Sequence, residues 1–162
     1  MIKFKRRTKI AGSMFFLLAL LLFAFSHNVR AVTVGIKPVE VISSQSFNQT
    51  VDKVKTLIAK NDMMVMGEIN QGKMLSMTGL KLNGVSLIVG NPIVGKKIFS
   101  TEPAAGLAIP IRLYIFENRD HKVIISYYKP SELLSHYQDH EVNMIGTMLD
   151  QKLEKLTTMA SK

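Results

Sequence analysis

The run "IRLYIFENRDHKVIISYY", Ile111 to Tyr128, constrains the fold of this chain more than any other stretch. Two segments rich in β-branched and aromatic residues flank the short polar turn "NRDH", Asn118 to His121, which is the pattern of a β-hairpin. In the first segment strand alternation sends Ile111, Leu113 and Ile115 to one face and Arg112, Tyr114 and Phe116 to the other. A two-stranded ribbon is marginal in water and needs more strands or a helix against its apolar face. The rest of the chain supplies both.

"VEVIS", Val39 to Ser43, alternates like a half-buried strand, and "MMVMGEI", Met63 to Ile69, reads as another. "VSLIV", Val85 to Val89, is apolar and β-branched, as a buried strand is. Between the last two, "GKMLSMTGLKL", Gly72 to Leu82, reads as a short helical turn leading into an extended segment. A helix starts after Ser46, where Gln49 completes a capping box. Phe47, Val51, Val54 and Ile58 form its apolar stripe, Asp52, Lys53 and Lys55 face water, and Asn61 is expected to end it in the left-handed conformation. The last helix is expected from Ser131, just after Pro130, with Val142, Ile145, Leu149, Leu153 and Leu156 on one stripe and Met148 alongside. Strand, helix, several strands, helix describes an α+β fold. The expectation is a single domain over residues 39–162, with an antiparallel sheet of about four to five strands. Two main helices pack on one of its faces, one of them C-terminal.

The first 31 residues read as a signal peptide. Lys3, Lys5, Arg6, Arg7 and Lys9 precede the 12-residue apolar run Met14 to Phe25, and "VRA", Val29 to Ala31, offers small residues at the cleavage positions. That run is shorter than the roughly 20 residues a membrane-spanning helix needs. The mature protein is therefore expected outside the cytoplasm, periplasmic or extracellular, with a leader at 32–38 and no stable membrane span.

Six of the 21 basic residues lie in that segment, and none of the 12 acidic ones does, so the remainder carries a net charge of only +3. No Lys/Arg cluster remains to follow a phosphate backbone, which argues against nucleic acid as a partner. Cys is absent, so disulfides and thiolate metal sites are excluded.

"GNPIVGKK", Gly90 to Lys97, has the letters of a phosphate-binding loop, G-x-x-x-x-G-K. Lys97 stands where that loop needs Ser or Thr for magnesium, and Pro92 has no N–H to offer. The segment also reaches Pro103 too soon for a long helix after Lys97. The stretch is read as a tight turn fixed by Asn91 and Pro92 after Gly90, and Pro110 as the introduction to the next strand.

"GNPIVG" (Gly90 to Gly95), "GLAIPIR" (Gly106 to Arg112) and the hairpin ending in "SYYKP" (Ser126 to Pro130) together resemble the domain-of-unknown-function 302 family. The resemblance extends over residues 45–130, with "SFNQTVDKVKTLIAKNDMMV" in place of the family's opening helix. It implies helices packed on one antiparallel sheet, often in homodimers, and no agreed activity. The family often carries a His after the second strand; this chain has Gln71 there, so any role of that His does not carry over.

Met63, Met64, Met66, Met74 and Met77 crowd into fifteen residues. Thioethers suit Cu(I), but Met is also an adaptable core filler, and core packing is the expectation here. His136 and His140 stand at i, i+4 on the expected last helix, a spacing compatible with metal but equally with a solvated face, and no third ligand is evident. With no Cys and no G-x-S-x-G, no catalytic residue is assigned.

Tyr114, Phe116, Tyr127 and Tyr128 are expected to share a surface that supports a homodimer. Arg112, among apolar neighbours, must hydrogen-bond an acceptor or reach water. An internal carboxylate, Glu68 or Glu102, is favoured; the alternative is an anionic ligand or a partner's carboxylate, which would use its planar fork. Asn91, Pro92, Arg112 and Tyr127 are the candidate ligand-binding residues, with no cofactor or metal assigned. The functional expectation is an exported, non-enzymatic module that binds a small anionic ligand or an envelope protein. A cell-envelope enzyme or redox accessory is the first alternative, and copper handling through Met or His the second.

Overall fold

A computed structural model describes residues 35–162; the expected signal peptide and residues 32–34 of the expected leader lie outside them. Strands β1 (Val39–Ser43), β2 (Met64–Asn70), β3 (Gly84–Gly90), β4 (Ile111–Glu117) and β5 (Val123–Tyr127) form one sheet in the order β1-β5-β4-β3-β2, antiparallel throughout. The helices are α1 (Phe47–Lys60), α2 (Gln71–Ser76), α3 (Pro92–Thr101), α4 (Pro130–Leu134) and α5 (His140–Ala160), with a 3₁₀ turn at Pro103–Leu107. The α+β architecture and the five-stranded antiparallel sheet are as the sequence pattern predicts.

The core lies between one sheet face and the helices. Val54 and Ile58 of α1, Ile98 of α3, Leu134 of α4 and Leu153 and Leu156 of α5 meet Leu87, Leu113, Ile115 and Ile125, all 1% exposed or less. The capping residue behaves as its spacing dictates: Ser46 directs its N–H and its hydroxyl to Gln49 Oε1, at 3.2 and 2.7 Å. Inside the core, Ser43 and Thr50 satisfy each other at 2.8 Å, which joins β1 to α1 without stranding a polar group.

Three local expectations are corrected. Asp62, with φ 55°, takes the left-handed position after α1. Asn61 instead keeps a negative φ and donates its side-chain amide to the Leu57 carbonyl at 2.8 Å. The C-terminal helix is two helices. Asp139 starts the second by accepting from Val142 N–H at 2.8 Å, a stronger signal than the Pro130 that starts the first. His136 therefore lies in the intervening turn and His140 at the head of α5, not on one helical face.

The third correction concerns "GNPIVG". Asn91 is a helix N-cap rather than the corner of a tight turn. Its Oδ1 accepts from Ile93 and Val94 N–H at 2.8 and 3.1 Å, and Pro92 occupies the first turn of α3, where a missing N–H costs nothing. Helix geometry begins inside the would-be loop, so Gly95 N–H is spent on Asn91 O at 2.8 Å. Lys96 and Lys97 are exposed on the helix instead of closing over a phosphate.

Candidate functional site

The residues that alternate away from the core make the second face of the sheet, which no long helix covers among the described residues. Strand register arranges it in rows. One row runs Ile69, Ser86, Tyr114, Ser126, Glu40, and a second runs Gly84, Phe116, Ile124, Ile42. Ile88 and Arg112 are a cross-strand pair in a third. Apolar side chains stand out from it: Ile42 is 59% exposed, Ile69 40% and Tyr128 47%.

Beside them, Tyr114 and Phe116 stack with ring centroids 4.9 Å apart and planes 11° from parallel. The Tyr114 hydroxyl lies across Gly84, 2.7 Å from where a Cβ would stand. Burial raises the pKa of this phenol. At one end of the row, Gln71 Nε2 donates to the buried Ser86 Oγ at 2.6 Å, and Gln71 Oε1 is buried with no hydrogen-bond partner among the described residues. A buried acceptor left unpaired costs about 1–3 kcal/mol.

Arg112 is exposed on this face, and its expected internal partners are taken. Glu68 pairs with Lys55 of α1 at 2.7 Å, and Glu102 Oε1 accepts from Ala104 N–H at 3.2 Å to cap the 3₁₀ turn. The side chain needs no buried pair because it never leaves water. Alternation identified its face correctly; the expectation of burial failed because that face is open.

The other candidates are not gathered around Arg112. Tyr127 is 4% exposed and points into the helix-covered core, so it shares no surface with Tyr114 and Phe116, and burial raises its pKa too. Asn91 is committed to its cap and to the Asp62 carbonyl, and Pro92 lies at the start of α3.

The methionines are the larger departure. Only Met63 enters the core, at 6% exposure, whereas Met64, Met66, Met74 and Met77 are 49, 56, 49 and 83% exposed. The register breaks between Val65 and Gly67, so Met66 sits on a β-bulge, which turns it outward. Its sulfur then lies over Gly90, 2.7 Å from where a Cβ would be, so a side chain there would push the exposed thioether aside. Sequence reasoning missed Gln71 and Ser86 as a pair because fifteen residues and two elements separate them.

At the hairpin end, Glu117 accepts from His121 and from Asn83 at 2.7 and 3.1 Å, and those bonds lower its pKa. This arrangement locks the turn. Among the described residues no three His, Asp or Glu side chains are placed to hold a metal, and no helix is long and apolar enough to cross a membrane.

No curated protein matches the sequence. The fold is similar to the crystal structure of an uncharacterized conserved protein DUF302 from Bacillus stearothermophilus. That likeness has a TM-score of 0.70 at 18% identity, and it covers 77% of this chain and 98% of that one. Likeness at that identity concerns the fold. The family model described as "Domain of unknown function DUF302" matches residues 39–160, the whole span from the first strand to the end of α5. On that match, the chain belongs to the DUF302 family.

Proposed function

We propose that this chain is an exported, non-enzymatic binding module, and that its binding surface is the open face of the sheet. The observation that carries the reading is Arg112, without an ion-pair partner among the described residues, beside Ile88 and Tyr114 on a sheet face that no long helix covers among those residues. Five strands at about 4.8 Å spacing and six residues at about 3.4 Å make a surface on the order of 500 Å² in projection. Ile42 and Ile69 expose apolar surface on part of it, and exposed apolar patches mark interaction sites. Export follows from the N-terminal basic and apolar segments.

A second copy of the chain suits this face. Glu40 and Arg112 both lie on it, two strands apart, so a two-fold arrangement can bring Arg112 of each copy to the Glu40 carboxylate of the other. A small anionic ligand held between copies would use the same guanidinium. Sedimentation equilibrium of residues 35–162 tests this: a dimer is expected at micromolar concentration, and Ile42→Glu or Arg112→Glu should yield monomer. A wild-type protein that stays monomeric at high micromolar concentration would overturn the reading.

A further inference from the structure

Residues 71–83 leave the end of β2 and return to the start of β3 with an apolar tip. Met74, Met77 and Leu80 are 49, 83 and 52% exposed, more than a core or a well-packed loop allows. The flanking charges are both positive, the exposed Lys73 and Lys81. No carboxylate occurs between Glu68 and Glu102 in the sequence, and the acid at the base of the excursion, Glu117, is engaged by Asn83 and His121. Neither lysine takes part in an ion pair among the described residues.

The excursion is tied at its base, and its helical turn is bonded within itself. A side chain on Gly72 would collide with the Leu82 carbonyl, so the two ends approach as closely as glycine permits. Asn70 Oδ1 accepts from Lys73 N–H at 2.8 Å, Ser76 and Thr78 hydroxyls donate to the Lys73 and Leu75 carbonyls at 2.7 Å, and Gly79 turns the chain with φ 85°. The tip can therefore enter a less polar medium while these backbone groups stay bonded.

We propose that this tip is a peripheral membrane contact that inserts Met74, Met77 and Leu80 among the headgroups of an anionic bilayer. Lys73 and Lys81 form its basic collar. Separate protruding apolar side chains ringed by lysine match a lipid interface, where ammonium groups meet lipid phosphates. A protein interface core is depleted in lysine and is better packed than such a tip permits. Two lysines near an anionic surface strengthen binding by about fivefold each, and they make it salt-sensitive. The inference does not depend on self-association through the open sheet face.

Vesicle flotation of residues 35–162 tests it, since the same fold covers 98% of the chain in the similar DUF302 crystal structure. Omitting the N-terminal apolar segment also removes a competing cause of lipid binding. Vesicles with roughly 30% phosphatidylglycerol should carry the protein, and pure phosphatidylcholine vesicles should carry far less. Met77→Glu with Leu80→Glu should abolish flotation, and Lys73→Gln with Lys81→Gln should reduce it by about tenfold or more with an unchanged thermal melt. No flotation of the wild type, equal flotation on both vesicles, or flotation unaffected by the glutamates would each overturn the proposal. The second of these would point to apolar adhesion alone, and the first to a protein as the tip's partner.

Discussion

Leu113 and Arg112 are neighbours on one strand, yet one is fully buried and the other stands in water. The two faces of this sheet differ in the same way along its length. The covered face is closed by α1, α3, α4 and α5, whose apolar side chains leave no polar group there without a use. The open face mixes Arg112, Glu40, Gln71 and two serines with stacked aromatics and exposed isoleucines. Stability is concentrated on the first face, and the proposed recognition surface is the second. A polar residue on the first must be satisfied internally, whereas on the second it can wait for a partner.

That division is broken most directly by substitution on β4. Leu113→Ala should lose about 2–5 kcal/mol, because it opens a cavity where the side chain has no exposure. Arg112→Met should leave stability within about 0.5 kcal/mol, as at other surface positions without a packed role. Urea unfolding of both variants checks the pair. A large loss for Arg112→Met would mean that the open face is closed by contacts within the same chain.

Asn91 sharpens the comparison at the rim. Asn91→Ala should cost about 1 kcal/mol through the lost cap, and Asn91→Ser should recover most of it. Thermal unfolding measures both. If Asn91→Ser were as damaging to ligand or partner binding as Asn91→Ala while restoring stability, the residue would belong to the recognition surface after all.

A half-buried tyrosine and a buried one give a smaller, pH-dependent contrast. Burial raises the pKa of Tyr114 on the open face and of Tyr127 under the helices, both from an ordinary 10.0. The folded chain then keeps phenol protons that the unfolded chain has already released. Stability should therefore fall as pH rises past the unfolded value toward the folded ones. Alkaline absorbance titration should lose one late-ionising phenol in Tyr114→Phe and another in Tyr127→Phe. Covering the open face should raise Tyr114 further with protein concentration and leave Tyr127 unchanged.

Much of the fold could be read because it depends on local periodicity. The β4–β5 hairpin, the capped α1 and the stripe Val142 to Leu156 each carry their pattern within about fifteen residues. What escaped was decided by distant chain. Whether Arg112 is buried depends on which sheet face the helices choose, and strand alternation alone does not specify that. Met66 is turned out by a bulge whose cause lies in its register with β3. Asn91 and Pro92 were recognised as punctuation but given the wrong structure, since Asn-Pro starts a helix as readily as it makes a turn. Of the candidate site, Arg112 was found from its own strand. Gln71 and Ser86 required the tertiary fold.

Methionine oxidation tests the central claim, that the open face is the surface this protein binds with. Met64 and Met66 report on that face, and Met144 and Met159, 56 and 45% exposed on α5, serve as internal controls. Peroxide treatment of residues 35–162 at increasing protein concentration, read by mass spectrometry, follows all four together. Met64 and Met66 should become protected as the protein associates, while Met144 and Met159 oxidise at an unchanged rate. Ile42→Glu should abolish that protection. Equal oxidation of all four at every concentration, or protection confined to α5, would contradict the account.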